Sequence, residues 1–273
     1  GALIIALYPI YFIIIASVSN SNMVNQGMVT IIPRDISFYG YQKILERADL
    51  WVGYRNTILY TVAGTILNLA VTLPAAYVLA QPEFSGRKVI MTMFVITMYF
   101  SGGMVPTYML VKTLHLTNTS LIMIIMGALS VYNLIITRTF FESSIPKELQ
   151  EAAELDGCSH FRYFGQIVLP LSKAVVSVIT LYYAVGHWNE YFYPLIYLKS
   201  RELKPIQLYL RDILVANQQA STSTGGSTGV ERQYLFEALK FSTIVITTLP
   251  ITIIYPFFQK HFVQGIMIGA VKS

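Results

Sequence analysis

Charged residues are scarce in this sequence, and the interiors of its long apolar stretches contain none. Of its 273 residues, 12% are charged and 54% are hydrophobic, whereas an ordinary soluble domain has about 25% charged residues. A core of this size could not enclose so many apolar side chains, so lipid must solvate many of them. The scarcity of charge therefore excludes an ordinary soluble protein.

The residues that build most catalytic and cofactor sites are also few. A single cysteine, Cys158, excludes an internal disulfide framework, and no cluster of His, Cys, Asp and Glu has the spacing of metal ligands. The chain has no Gly-x4-Gly-Lys-Ser/Thr phosphate loop, and its net charge of +5 is spread over the loops rather than gathered in a stripe. We therefore expect no catalytic residue, no metal and no cofactor in this chain, and no nucleic-acid partner.

Six apolar stretches are long enough to cross a bilayer as helices, which takes roughly 17–25 residues. A helix satisfies its own backbone hydrogen bonds in lipid. The sequence therefore predicts an all-α, polytopic membrane protein with both termini on one side. The predicted spans are residues 2–18, 56–80, 89–111, 120–137, 171–186 and 241–258.

Polar residues inside these stretches indicate either helix contacts or a transport path. In the second stretch, small and hydroxyl residues around Gly64 and Asn68 recur every three or four positions, which favours a packing seam over a pore face. Ser101-Gly102-Gly103 predicts an interrupted third helix, and interrupted helices often line transport paths. The candidate residues of a substrate path are Asn68, Ser130, Tyr132, Asn133, Trp188 and Asn189.

One long polar loop, residues 138–170, separates the fourth and fifth predicted spans. Pro146 suits the first position of a short helix, where a missing N–H has no cost, and Gly157 suits its end in the left-handed conformation. Helical spacing predicts that four side chains share one face of this helix. They are Leu149, Ala152, Ala153 and Asp156.

A second short helix is predicted after the glycine. Ser159 is placed to cap it, and Phe161 and Phe164 are expected on one side of it. Short helices of this kind can fill a groove in another protein. From these features alone, a plain connection between two spans remains an equally open interpretation.

The same loop carries a pattern of fixed spacing. Glu151-Ala-Ala, three residues, Gly157, nine residues and Ile167-x-Leu-Pro170 resembles the signature loop of permease subunits of bacterial binding-protein-dependent ABC importers. Every fixed position of that pattern is filled. The resemblance covers most of the chain and is to the carbohydrate branch, in the type that ends soon after its sixth span. Its other segments are Phe100-Ser-Gly-Gly-Met-Val-Pro106, Arg138-Thr-Phe-Phe141, Ile145-Pro-Lys-Glu-Leu149, Trp188-Asn189 and Phe262-Val-Gln-Gly265.

The resemblance implies a fold, partners and a location. The fold would be that of a type I importer permease, with six transmembrane helices and a cytoplasmic coupling helix, in the bacterial cytoplasmic (inner) membrane. The partners would be a second homologous permease, two ATPase subunits that hold ATP and Mg, and an extracytoplasmic solute-binding protein. The substrate would be a sugar, oligosaccharide or polysaccharide, alginate among them.

The resemblance also implies which residues meet the ATPase subunits. Those of the coupling loop are Glu151, Ala152, Ala153, Gly157, Phe161 and Phe164. Those of the cytoplasmic tail, residues 259–273, are Gly265, Gly269 and Lys272.

The remaining long loops are expected on the extracytoplasmic side, at residues 19–55 and 187–240. The second is too long for a simple hairpin, carries a flexible-looking Ser/Thr/Gly run at 221–229, and is predicted to meet the binding protein. Cytoplasmic loops are typically rich in Lys and Arg. Arg87 and Lys88, in a short loop on the same side as the signature loop, therefore favour a cytoplasmic location for that side.

An ion-coupled secondary transporter is the main alternative, and a membrane-embedded enzyme is a third. The former commonly needs charged residues deep inside its spans as relays, which the interiors of these stretches lack, and the latter needs a catalytic constellation that the sequence does not contain. Dependence of uptake on ATP rather than on an ion gradient distinguishes the importer from the secondary transporter.

Overall fold

The computed structural model describes residues 2–222, 236–254 and 256. These residues form helices and no strand, and one isolated antiparallel bridge joins Ser19 and Ile36. The all-α class predicted from the sequence is confirmed. The chain divides into two compact units, the first formed by Gly1–Ile58 and Asn189–Ile253 and the second by Leu59–Trp188 and Ile254–Ser273.

The helices of the described residues are numbered α1 to α15 in chain order. A π-helical turn, Phe164–Val168, follows α10, and a 3₁₀ turn, Arg201–Leu203, follows α13. The helices are α1 Ala2–Ser17, α2 Ser21–Asn25, α3 Tyr39–Leu45, α4 Ala48–Ala80, α5 Arg87–Tyr99, α6 Met104–Thr113, α7 Ser120–Ile125, α8 Val131–Ser144, α9 Lys147–Leu155, α10 His160–Tyr163, α11 Leu169–Leu171, α12 Lys173–Asn189, α13 Phe192–Tyr197, α14 Ile206–Thr222 and α15 Phe236–Ile254.

Two helices in the described part of the chain, α4 and α15, are each long and apolar enough to cross a membrane. The count rises to four if two bent pairs, α5 with α6 and α10–α11 with α12, each form one span. The first predicted span is the shorter apolar helix α1. The predicted spans thus correspond to helices, but in the described part of the chain only the second and sixth are single helices of membrane length.

The third predicted span is interrupted where the glycines indicated. Helix α5 ends at Tyr99, α6 begins at Met104, and the two axes differ by 112°. Gly103 has φ +86°, a conformation that glycine adopts without the steric cost of a side chain. The predicted interruption is confirmed.

The fourth predicted span, residues 120–137, is not one helix as we expected. Helix α7 ends at Ile125 and α8 begins only at Val131. Within the break, the Asn68 amide donates to the carbonyl oxygen of Gly127 at 2.8 Å, and the Tyr183 hydroxyl accepts from the N–H of Ser130 at 3.1 Å. Since side chains satisfy these backbone groups, the break is tolerated in an apolar setting.

The two long loops predicted at 19–55 and 187–240 contain helices. Helix α4 already begins at Ala48, and the first unit has a buried apolar cluster that joins α3, α4, α14 and α15. The cluster consists of Ile44, Leu50, Ile206, Ile213 and Leu239. These helices form because they bury apolar side chains against one another; the Ser/Thr/Gly run at 221–229 extends beyond residue 222 and lies largely outside the described residues.

Polar residues of α4 hold the second of these loops within the first unit. The Asn56 side chain donates to the carbonyl oxygens of Glu202 and Lys204 at 2.7 and 3.1 Å. The Thr57 hydroxyl accepts from the N–H of Ile206, at the start of α14, at 2.8 Å. Both side chains are buried, so they act as packing residues of the seam predicted on this helix.

The seam continues in the second unit, where α4 packs on α12. A Cβ atom at Gly64 would lie 2.4 Å from the His187 ring, and His187 Nε2 lies 2.7 Å from Oδ1 of Asn68. One turn further, the hydroxyls of Thr72 and Tyr183 are 2.7 Å apart. The prediction that polar and small residues of α4 form a helix-packing seam is confirmed, and His187 packs against this seam.

Replacing Gly64 by alanine should destabilise the protein, because the added methyl group must displace the His187 ring and break its bond to Asn68. Overpacking of this kind costs roughly 1–3 kcal/mol. The measurement is the apparent midpoint of thermal unfolding in detergent, followed by tryptophan fluorescence. Gly186→Ala is the matched control, since a Cβ atom there meets nothing within 4 Å; equal midpoints for the two variants would contradict the close packing.

Candidate functional site

The predicted signature loop is shorter than residues 138–170, because α8 continues to Ser144. Helix α9 follows and begins at Lys147, with Pro146 in the capping position at φ −63° and ψ 138°. We predicted the proline at the first helical position, one residue further in. Its extended ψ explains the difference, since the chain enters the helix only after this residue.

Gly157 ends α9 in the left-handed conformation, as the sequence predicted, with φ +71°. The N–H of Gly157 donates to the Glu154 carbonyl at 3.0 Å, and the N–H of Cys158 donates to the Ala153 carbonyl at 2.8 Å. This pair of bonds is the Schellman motif. A Cβ atom at Gly157 would have nothing within 4 Å, so the requirement for glycine is conformational and not one of space.

Helix α10 starts at the serine that we predicted as its cap. The Ser159 hydroxyl accepts from the N–H of Arg162 at 3.4 Å. Behind this cap, Tyr163 is buried and its ring centroid lies 6.4 Å from that of Tyr77 near the end of α4. Phe164 stacks closer on the same tyrosine, at 5.0 Å.

The expectation that Phe161 and Phe164 share one side is wrong. Phe161 is 91% exposed, whereas Phe164 packs on the core of the second unit. The reason is that α10 ends at Tyr163 and a π-helical turn begins at Phe164. The geometry of this turn directs the Phe164 ring inward. Phe161 therefore faces outward, and Phe164 packs against the core.

Helix α9 is attached through one small side chain. Among the four residues that we placed on a common face, only Ala153 is buried, and Leu149, Ala152 and Asp156 are exposed. The helix therefore shows most of its surface to the outside, Glu151 included. Sequence reasoning missed Leu155, which is 90% exposed; the signal was an apolar residue beside the helix-ending glycine.

We refer to the outward residues Glu151, Ala152, Leu155 and Phe161 as the docking surface, a candidate contact site on the coupling loop. The inward residues Ala153, Tyr163 and Phe164 hold this surface against the core. Burial raises the pKa of the Tyr163 phenol, and Glu154 adds to the shift, so this hydroxyl stays protonated near neutral pH.

The candidate substrate-path residues differ in exposure. Asn68, Asn133 and Trp188 are buried, Ser130 is half-buried, and Tyr132 and Asn189 are exposed.

The polar groups of the path candidates also serve the protein itself. The amide of Asn68 bonds to Gly127 and His187, and the Ser130 hydroxyl accepts from the Asn133 N–H at 3.4 Å to cap α8. In this conformation Asn68 and Ser130 therefore support the helix contacts of the second unit. Their role along a path stays a prediction.

The predicted contacts of the tail fall on residues that the structure does not describe. Gly265, Gly269 and Lys272 of the tail lie outside the described residues. In the part of the chain that the structure describes, no group of three or more His, Cys, Asp or Glu side chains could hold a metal ion.

Similarity to known proteins covers nearly the whole chain. A family model described as "Binding-protein-dependent transport system inner membrane component" matches residues 50–268. Protein LplC of Bacillus subtilis (strain 168) is 37% identical over 269 residues, which cover 98% of this chain and 90% of LplC. The polygalacturonan/rhamnogalacturonan transport system permease protein YtcP of the same organism is 35% identical over 272 residues, 99% of this chain and 94% of YtcP.

The chain is also similar to a protein of known structure. The crystal structure of a bacterial ABC transporter involved in the import of the acidic polysaccharide alginate contains a chain that is similar to this one with a TM-score of 0.85 and 33% identity. The similarity covers 95% of this chain and 92% of that chain. The family match, the full-length relatives and the shared fold together show that this chain belongs to the family of inner membrane components of binding-protein-dependent transport systems.

Proposed function

We propose that this chain is one of two permease subunits that form the transmembrane path of a saccharide importer in the bacterial cytoplasmic membrane. The coupling role is supported by the docking surface, where Leu155 and Phe161 are almost completely exposed. The loop that presents them is held to the core by Tyr163 and Phe164. An ATPase subunit would cover this surface. Movement of that subunit would reach α4 through the contacts of Tyr163 and Phe164 with Tyr77.

The proposed assembly contains a second permease, two ATPase subunits and an extracytoplasmic binding protein. ATP and Mg would be held by the ATPase subunits, and this chain would have no catalytic site of its own. The tail, residues 259–273, would add a second contact with the ATPase pair. Residues 187–240 would meet the binding protein.

We expect the substrate to be an acidic oligosaccharide or polysaccharide. The name of YtcP refers to polygalacturonan and rhamnogalacturonan, and the solved neighbour imports alginate. Polygalacturonan and alginate are both chains of sugar acids. Their shared chemistry supports a uronate-containing saccharide for this chain as well.

The substrate prediction is tested with the assembled importer and its binding protein in lipid vesicles. Oligosaccharides of alginate or polygalacturonan should stimulate ATP hydrolysis and enter the vesicles, and neutral malto-oligosaccharides of the same length should not. Removal of ATP should stop uptake, whereas collapse of ion gradients should leave it intact. Stimulation by the neutral sugars alone would refute the acidic substrate.

The proposed orientation places the coupling loop in the cytoplasm and residues 187–240 outside. A membrane-impermeant thiol reagent added to intact cells should therefore label a cysteine introduced at Thr224 and should spare Cys158. After the cells are permeabilised, a cysteine introduced at the exposed Lys88 should become reactive and serve as the inside control. Labelling of the Lys88 site in intact cells, with protection of the Thr224 site, would reverse the topology.

Gly157→Asp should weaken coupling without preventing folding. A side chain in the left-handed conformation costs roughly 1–2 kcal/mol, and relief of that strain would re-aim α10 and Phe161. We expect the variant to insert and to pair with its partner permease, yet to retain less ATPase and to hydrolyse ATP slowly. Gly157→Asn is the matched control, because asparagine tolerates this conformation better.

Glu151→Ala should give the same phenotype by removing a contact. A charge-assisted hydrogen bond to the ATPase contributes about 1.5–3 kcal/mol, and Glu148→Ala on the same helix is the control. The measurements are the amount of co-purified ATPase and the ATP hydrolysis that the loaded binding protein stimulates. Normal values of both for Gly157→Asp and Glu151→Ala would refute the docking role.

A further inference from the structure

A cavity of about 300 Å³ lies in the second unit, on the inner side of the coupling loop. Its lining includes the end of α4 with Tyr77, the start of α5 with Arg87, the end of α8 with Glu142, the start of α9 with Lys147, and α10 with Tyr163. Its volume is at the lower end of the range for ligand pockets. None of the four residues of the docking surface lines it, so the proposed ATPase contact does not account for it.

Two phenol groups on its wall have no partner. Tyr77 is 7% exposed and Tyr163 is 3% exposed, and the hydroxyl of each is buried without a hydrogen bond to any described residue. A buried polar group left in this state costs about 1–3 kcal/mol. Both hydroxyls are able to donate, so a ligand with acceptor oxygens would remove this cost.

The charges around the cavity favour an anion. Arg87 and Lys147 both line it, and the one carboxylate of the lining, Glu142, is paired with Arg138. Lys147 also begins α9, a helix of nine residues whose N-terminus has no side-chain cap. The unpaired N–H groups at such a helix start favour a phosphate or carboxylate.

The surface next to Arg87 is apolar and open. Ile90 and Met93 follow three and six residues after Arg87 on α5 and are 36% and 62% exposed. In the proposed orientation, the turn that carries Arg87 lies at the cytoplasmic surface of the membrane. Basic pockets between membrane helices on that side suit the headgroups of anionic phospholipids, whose acyl chains lie along apolar helix surface.

We propose that this cavity binds the phosphate of an anionic phospholipid from the inner leaflet. Arg87, Lys147 and the N-terminus of α9 contact its negative charge, and the hydroxyls of Tyr77 and Tyr163 donate to its oxygens. The acyl chains follow Ile90 and Met93 along α5. The bound lipid stabilises the start of α9 and so makes the position of the docking surface depend on the composition of the membrane.

The test counts lipids retained by the assembled importer in native mass spectrometry. The probes are dioleoyl phosphatidylglycerol, dioleoyl phosphatidylcholine with the same acyl chains, and inorganic phosphate. The wild-type complex should retain phosphatidylglycerol in preference to phosphatidylcholine. An Arg87→Gln/Lys147→Gln variant should bind phosphatidylglycerol at least about tenfold more weakly, since each lost contact is charge-assisted, and Lys88→Gln, beside the cavity, should bind it normally.

Tyr163→Phe provides a second test in a protein that keeps its packing. Without phosphatidylglycerol, loss of the unpaired hydroxyl should leave the unfolding midpoint unchanged or raise it. With phosphatidylglycerol, the stabilisation by lipid should be smaller than in the wild type, which a purely structural role of the tyrosine does not produce.

Three results would overturn the proposal. They are equal retention of both lipids by the wild type, normal phosphatidylglycerol binding by the double variant and by Tyr163→Phe, and displacement of the lipid by inorganic phosphate alone, which would assign the site to the free anion. Because the readout is lipid binding and not transport, these results are independent of the coupling role of the docking surface.

Discussion

The packing of Tyr163 and Phe164 against Tyr77 is the contact on which the coupling loop depends. It lies where α4 approaches its end, and Ala153 adds the only buried side chain of α9 beside it. The rest of α9 is exposed or half-buried, so this helix has little else to hold it in place. A small alanine allows close approach of the backbone, and the two aromatic rings pack on Tyr77 in the core of the second unit. The loop can therefore be firmly attached while nearly all of its outer side stays free for a partner.

Helix α4 also supplies hydrogen bonds to backbone groups that are left without helical partners at the break between α7 and α8. Within the second unit, Asn68 of α4 bonds to the Gly127 carbonyl, and Thr72 bonds to Tyr183, which in turn accepts from the Ser130 N–H. In an apolar medium each of these backbone groups would otherwise be left unsatisfied at a cost of several kcal/mol. The seam on α4 is thus a condition for the break between α7 and α8. A change in the register of α4 would affect the break and the loop together.

Local chemistry was enough to predict the features that depend on neighbouring residues. The left-handed Gly157, the Ser159 cap and the interruption before Gly103 each follow from residue types within one turn of the site. The break at Gly127 could not be predicted, because its surroundings are apolar and its stabilising partners lie 59 and 53 residues away in sequence. The helices α3 and α14 were missed for a related reason, since their apolar sides are buried only against each other and against α4 and α15.

The energies available at the docking surface explain why its geometry matters more than any one of its residues. Full burial of Leu155 or of Phe161 would contribute about 1.5–3 kcal/mol each, and a charge-assisted bond of Glu151 is of the same order. No single contact is large enough to hold an ATPase subunit, so docking requires them to form together. Their alignment is set by the two hydrogen bonds of the Schellman motif at Gly157, because these fix the direction in which the chain leaves α9. A residue that touches no partner can therefore control the whole contact through its backbone conformation.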